Sequence, residues 1–190
     1  TLKSWEYYSK PISNVNLKDV YKSKNVIFTN GFINNEMSKN YKNNPNLKKV
    51  FKKYINIKKI YLKNVNQFEN KHFKNNKVLG VHFRGTSMKT IPNHPLPPSI
   101  QQMLYVVDKA LIKYKFNKIF LVTDQLDYLQ LFINKYGKKV CYRNSFRSNK
   151  SKIFHLNQRK FHRYKMGVDA LEDTLLMSKL NYLICSRSNM

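Results

Sequence analysis

The chain has 190 residues, of which 42% are hydrophobic and 14% aromatic, so it has enough apolar material for a folded core and is not a disordered chain. No apolar run reaches the ~18 residues of a membrane-spanning helix, and no secretory signal pattern is visible. The two cysteines, Cys141 and Cys185, exclude a disulfide-dense scaffold and are typical of a reducing compartment. We therefore expect a cytoplasmic protein.

The formal net charge is +26, from 36 basic and 10 acidic residues, and such a charge favours polyanionic partners. Only six of the basic residues are arginines, whereas nucleic-acid binders rely on arginine for two-pronged contacts. Lysine, asparagine, isoleucine, tyrosine and phenylalanine, which AT-rich codons encode, make up 92 of the residues. We attribute most of the charge to codon bias and do not expect nucleic acid as a partner, although a basic polyanion-binding module stays open as an alternative.

Residues 1–76 are rich in asparagine and lysine and have little hydrophobic patterning. A short strand is predicted at residues 25–29. Between residues 47 and 73 apolar side chains recur every three or four positions, which predicts one bent helix or two helices. We interpret residues 1–76 as the remnant of a first, acceptor-side lobe with its connecting helices.

From residue 77 onward, compact apolar strands alternate with amphipathic helices. The predicted strands are 78–83, 118–123, 139–142 and 181–185, and the predicted helices are 100–114, 126–136 and 167–179, with a basic loop at 143–165. This order is typical of a doubly wound parallel sheet, and the near-continuous apolar strands fit a sheet that is covered on both faces. We predict an α/β fold with a Rossmann-like domain at residues 77–190. Because the chain begins with Thr1 and ends just after the fourth strand, we interpret it as a piece of a longer protein.

Ligands of open parallel sheets bind beyond the carboxyl ends of the strands. Polar and charged residues converge there, namely His82, Arg84 and Gly85 at the end of the first predicted strand, Thr123 and Asp124 at the end of the second, and Ser186, Arg187, Ser188 and Asn189 after the fourth. Strand alternation puts His82 and Arg84 on one face, and an arginine at a strand end suits a phosphate group. His82 is either a ligand contact or a core histidine, and Asp124 either contacts a ribose or base or caps the next helix.

Two common nucleotide-binding patterns are absent from the sequence, because no Gly-x-Gly-x-x-Gly follows a strand and there is no Walker A motif. There is also no Asp-x-Asp pair that would hold a diphosphate through a divalent metal ion. Cationic side chains would then have to bind a diphosphate, and we expect neither a metal ion nor another cofactor.

Three segments together resemble the motifs of the GDP-fucose-dependent fucosyltransferases, the group of α-1,6-, nodulation and protein O-fucosyltransferases. Segment 78–86, VLGVHFRGT, is similar to their first motif, and segment 119–124, IFLVTD, is similar to their second. The third is matched by 169–178, DALEDTLLMS, with the strand that leads into 186–189, SRSN. The three occur in order across residues 77–190.

The resemblance implies a two-lobed GT-B-type glycosyltransferase that moves fucose from GDP-fucose to a glycan or protein acceptor, with inversion and without metal. It implies that Arg84 is the catalytic residue, because it binds the β-phosphate and stabilises the departing GDP. The donor site implied as a whole comprises His82, Arg84, Gly85, Thr123, Asp124, Asp173, Ser188 and Asn189. In it His82 lies beside the nucleotide, Asp124 contacts the guanosine, Asp173 holds guanine, and Ser188 and Asn189 cap the phosphates.

The sequence departs from the family pattern at three points. Ser87 stands where the first motif often has an acid, and Gly85 stands where some members have a second arginine. No carboxylate occurs between Arg84 and Asp108, so an acceptor-activating base is not visible. An inactive paralogue that keeps the fold is therefore a further alternative.

Overall fold

The computed structural model describes residues 4–11, 14–15, 17–24, 49, 52–85, 97–149 and 159–186. The predicted strand at 25–29 and the predicted site residues Ser188 and Asn189 lie outside these ranges. The chain forms two compact units, Thr1–Ile60 and Tyr61–Met190.

The first unit contains a short 3-10 helix, Ser4–Tyr7, and helix α1, Leu17–Lys22. Its described parts are tied together by an antiparallel bridge between Ser9 and Ile57. The Ser9 hydroxyl donates to the Asn56 carbonyl at 2.8 Å, so the bridge joins residues that are far apart in the chain.

The second unit is a four-stranded parallel sheet with helices between the strands. Its strands are β1, Val78–His82; β2, Lys118–Val122; β3, Val140–Cys141; and β4, Leu183–Cys185. Its helices are α2, Lys59–His72; α3, Ile100–Tyr114; α4, Leu126–Tyr136; and α5, His162–Met177. All strand pairs are parallel and the strand order is β3-β2-β1-β4, which confirms the predicted doubly wound α/β class.

The sheet is buried on both faces, as the apolar strands predict. On one face, Leu79, Val81, Phe83 and their neighbours on β2 pack against α3 and α4. On the other face, Val78, Phe120 and Val122 pack in one cluster with Val65 of α2 and with Leu176 and Met177 of α5. The second compact unit begins at Tyr61, within α2, so Val65 of this helix belongs to it.

Helix α3 begins where the sequence predicts. Ser99 is its N-cap, since the Ser99 hydroxyl accepts from the Gln102 amide at 3.2 Å while the Gln102 side chain accepts from the Ser99 amide at 2.8 Å. This reciprocal pair satisfies two amides that the first helical turn leaves without partners.

The start of helix α5 and the burial of strand β4 differ from the prediction. Helix α5 starts at His162 and not at Gly167, because buried His162 packs edge-on against Phe146, which fixes the first turn before the glycine. Strand β4 is also less buried than predicted: Leu183 is 45% exposed. Since β4 pairs only with β1 among the described strands, it forms an edge of the sheet as described.

Candidate functional site

The strand order creates a topological switch point between β1 and β4. The chain runs outward from β1 through β2 to β3 and then returns to the other side of β1 to form β4. In open α/β sheets, ligands bind in the crevice at the carboxyl ends of the strands at such a point. Arg84 follows β1 and Ser186 follows β4, so both residues lie at this crevice.

Three successive backbone amides after β1 are each held by a different group. The Phe83 amide donates to the Val122 carbonyl of β2 at 2.9 Å. The Arg84 amide donates to the Ser186 hydroxyl at 3.1 Å, and the Gly85 amide donates to Oδ1 of Asp124 at 2.8 Å. The backbone on both sides of the Arg84 side chain is therefore fixed from both neighbouring strands.

The Arg84 guanidinium lies beside Asp124, with Nε 3.8 Å from Oδ2, and the two side chains are 20% and 18% exposed. Among the residues that the structure describes, no other carboxylate pairs with Arg84. The guanidinium therefore has an acid on its Nε side and is partly exposed, an arrangement that suits a two-pronged contact with a phosphate group.

His82 is the last residue of β1 and is buried. Its carbonyl accepts from the Ser186 amide at 2.9 Å and from the Ser186 hydroxyl at 3.2 Å. Burial lowers the pKa of the imidazole, and the nearby Arg84 charge lowers it further, against the opposing effect of Asp124. A neutral ring adds no charge to a site where the guanidinium already supplies one.

Asp124 does not cap helix α4. The N-cap is Gln125, whose amide donates to the Thr123 hydroxyl at 3.2 Å, while the Asp124 carboxylate turns to the loop after β1. Thr123 is buried in this turn. Of the two predicted roles for Asp124, the structural one as a helix cap is wrong.

Gly85 is in close contact with the beginning of α4. A Cβ atom at this position would collide with Oε1 of Gln125 and would lie 2.9 Å from Cε2 of Tyr128. Tyr128 stacks on Phe83, with ring centroids 4.1 Å apart. A larger side chain at residue 85 would therefore have to displace Gln125 and the ring of Tyr128.

Asp173, the predicted guanine contact, belongs to a second polar cluster at α5. Its carboxylate accepts from Nη1 of Arg143 at 3.2 Å and from the Ser145 hydroxyl at 3.2 Å. Arg143 also pairs with Glu172, which is only 1% exposed and accepts from Asn64 of α2 at 2.8 Å. Burial raises the pKa of Asp173 to about 6, although Arg143 opposes this shift.

Further hydrogen bonds fix the loop after β3, residues 143–149. Arg147 donates to the carbonyls of Ser145 and Arg143, each at 2.9 Å. The Ser148 amide donates to the Asp124 carbonyl at 3.0 Å, and Asn149 exchanges two hydrogen bonds with Asp127 of α4. The loop at 143–149 is thus anchored at the end of β2, at the first turn of α4 and on α5.

The structure brings together His82, Arg84, Gly85, Thr123 and Asp124 and places Asp173 in the α5 cluster. The sequence analysis placed Ser186 among the polar residues after the fourth strand but assigned no role of its own to Ser186 or to Arg143. No spacing pattern signalled Arg143, whose two acidic partners lie almost 30 positions further along the chain.

Within the described ranges, no group of three or more His, Cys, Asp and Glu side chains could hold a metal ion. No described helix is long and apolar enough to cross a membrane.

The fold of the chain is similar to that of fucosyltransferases, as the motif resemblance predicts. A crystal structure of NodZ α-1,6-fucosyltransferase co-crystallised with GDP matches with a TM-score of 0.51 and 17% identity, over 75% of this chain and 42% of that one. Structures of fucosyltransferase NodZ from Bradyrhizobium and of NodZ soaked with GDP-fucose match at TM-scores of 0.48 and 0.49, both with 16% identity; they cover 75% and 76% of this chain and 43% of the other. The chain spans less than half the length of these proteins. Neither a protein-family profile nor a curated protein sequence matches it.

Proposed function

We propose that the chain is the donor-binding part of a glycosyltransferase, specifically a fucosyltransferase that uses GDP-fucose. The sugar would pass to a glycan or protein acceptor with inversion at the anomeric carbon. The observation that carries this proposal is the place of Arg84: an accessible guanidinium at the topological switch point of a sheet whose fold resembles that of a fucosyltransferase crystallised with GDP.

The proposed role of Arg84 follows from the charge changes of the reaction. As the bond between fucose and GDP breaks, negative charge accumulates on the β-phosphate oxygens. A guanidinium beside them gains interaction energy as this charge grows, so it stabilises the transition state more than the bound donor. Asp124 orients Nε of the guanidinium at 3.8 Å, which leaves the Nη atoms for the phosphate.

Metal-independent transfer is part of the proposal, because the cationic contribution is assigned to a side chain. His82, two residues before Arg84 in the chain, is buried, and its pKa is lowered by burial and by the Arg84 charge. In its neutral form the ring can exchange a hydrogen bond with the donor. Ser188 and Asn189, which follow β4 in sequence, are proposed to contact the phosphates.

Guanosine recognition is assigned to Asp124 and Asp173. Asp173 is held in place by Arg143 and Ser145, and each carboxylate oxygen has two lone pairs, so these contacts leave acceptor capacity for a guanine N–H. Gly85 and Thr123 are assigned no direct contact with the nucleoside. They allow the loop after β1 and the start of α4 to approach each other closely.

Ligand-dependent thermal stability tests this proposal. GDP and GDP-fucose should raise the melting temperature of the protein, UDP and UDP-sugars should not, and EDTA should leave the shift unchanged. Arg84→Ala should abolish the shift, whereas Arg163→Ala, which removes an exposed arginine of α5, should preserve it. Equal shifts with GDP and UDP would contradict the guanosine assignment, and a shift that requires a divalent metal would contradict the mechanism.

Binding of unrelated nucleic acids is the outcome that would favour the polyanion-binding alternative, which rests on the net charge of +26. Such binding weakens steeply with salt, in proportion to the number of phosphates that the protein neutralises. A gel shift that is lost between low and moderate salt, together with no response to GDP, would favour that alternative over the transferase.

A further inference from the structure

We infer that Ser186 is a positioning residue of the donor site: its hydroxyl bridges the ends of β1 and β4 and thereby fixes the backbone from which Arg84 projects. The inference rests on the proposed function for its catalytic meaning. The bridge itself rests on hydrogen bonds between described residues.

Ser186 forms hydrogen bonds with two residues at the end of β1. The Ser186 hydroxyl accepts from the Arg84 amide at 3.1 Å and donates to the His82 carbonyl at 3.2 Å, while the Ser186 amide donates to the same carbonyl at 2.9 Å. Ser186 is 4% exposed, so water cannot readily replace its hydroxyl, and an amide left without a partner there would be costly.

The end of the β1–β4 pairing explains why the Arg84 amide needs a side-chain acceptor. Backbone pairing between β1 and β4 ends at His82 opposite Cys185, so β4 offers no carbonyl to the Arg84 amide. The Ser186 hydroxyl supplies the missing acceptor at the point where the two strands separate to form the crevice. On the other side, Asp124 holds the Gly85 amide at 2.8 Å, and Arg84 is therefore fixed from two directions.

Fixing this backbone matters because a two-pronged phosphate contact depends on the direction of the guanidinium plane. A small change in the backbone of Arg84 is amplified along its long side chain. Loss of the hydroxyl should consequently weaken the interaction with the β-phosphate, while contacts with the nucleoside remain.

The ratio of the dissociation constants for GMP and GDP reports the contribution of the β-phosphate to binding, because the two ligands differ by that group. Calorimetric titration should give a ratio well above one for the wild type, and Ser186→Ala should reduce it by roughly 3- to 10-fold, the range of one hydrogen bond. Ser186→Thr, which keeps the hydroxyl, should restore it. Ser178→Ala is the matched control, because the Ser178 hydroxyl donates to the Leu175 carbonyl at 2.7 Å on an exposed helix end, and it should leave the ratio unchanged.

The double variant separates a positioning role from an independent one. If Ser186 acts through Arg84, then Arg84→Ala should lower the ratio strongly, and adding Ser186→Ala should lower it no further. A further drop in the double variant, or equal weakening of GMP and GDP by Ser186→Ala alone, would overturn the inference.

Amide hydrogen exchange, followed by NMR without ligand, keeps this test separate from the proposed function. The bridge predicts a protected Arg84 amide that exchanges at least 10-fold faster in Ser186→Ala, whereas the Phe83 amide, held by β2, stays protected. An Arg84 amide that exchanges rapidly in the wild type would overturn the bridge. If the amides behave as expected but the wild type binds GMP and GDP equally, the proposed function fails and the catalytic meaning of the bridge fails with it.

Discussion

Arg143 carries the only positive charge that pairs with both buried acids of α5 among the described residues, and it explains how Glu172 and Asp173 can lie side by side in the interior. Without this guanidinium, two adjacent carboxylates would be desolvated together, which is strongly unfavourable. The side-chain partners within this cluster were the feature that the sequence predicted least well. The family resemblance predicted Asp173 as a guanine contact, but no sequence pattern indicated its partner Arg143, which lies in a loop about 30 positions earlier.

The stability of the protein should depend on the ionisation of Asp173. Burial raises the pKa of this group from its ordinary value of 3.8 to about 6 in the folded state. The folded state therefore binds a proton more tightly than the unfolded chain does. Its contribution to stability is fully present below about pH 4 and is lost as the pH rises to about 6.

The corresponding experiment compares urea unfolding of the wild type and Asp173→Asn between pH 4 and pH 7. The free energy of unfolding of the wild type should fall relative to that of the variant across this range, by roughly 1–3 kcal/mol. A difference that is constant with pH would contradict the raised pKa of Asp173.

At the scale of elements, strands β1 and β2 and helices α3 and α4 follow the sequence prediction closely, because each combines a clear hydrophobic period with a clear end signal. Ser99 caps α3, and Gly137, with a φ of 54°, ends α4. The start of α5 could not be predicted in this way, since Gly167 resembles a break while the packing of His162 on Phe146 determines the true start. The exposure of β4 depends on its place in the sheet order, which its own residues do not encode.

Because the end of β1 packs closely against the start of α4, we expect a single methyl group added at Gly85 to destabilise the fold. Gly85→Ala should lower the free energy of unfolding by about 1–3 kcal/mol, because the added Cβ must displace Gln125 and Tyr128. It should also weaken GDP binding, since Arg84 is the preceding residue.

Chemical denaturation and GDP titration of the same variant check both effects. Shortening the obstructing side chain in the double variant Gly85→Ala/Gln125→Ala should recover part of the stability, because the severest overlap is with Oε1 of Gln125. Full stability of Gly85→Ala alone would show that the close approach at this position is not as described.

For the whole molecule, the class of fold could be predicted from the order of strands and helices. The candidate site was placed by the rule that ligands bind at the carboxyl ends of parallel strands, and its position stays a prediction. The division into units could not be placed from composition alone. Helix α2 has the lysine- and asparagine-rich composition of the first part of the chain, yet its buried Val65 belongs to the core of the second unit. The net charge of +26 carried little information about the site, because the polar residues at the crevice are few and of several types.

A crystal structure of the protein with GDP tests most directly whether a diphosphate binds at the switch point. We expect a β-phosphate oxygen within about 3 Å of an Nη atom of Arg84, in the crevice between the ends of β1 and β4. Diphosphate bound elsewhere, for example on surface lysines with Arg84 still paired only with Asp124, would contradict the proposed donor site.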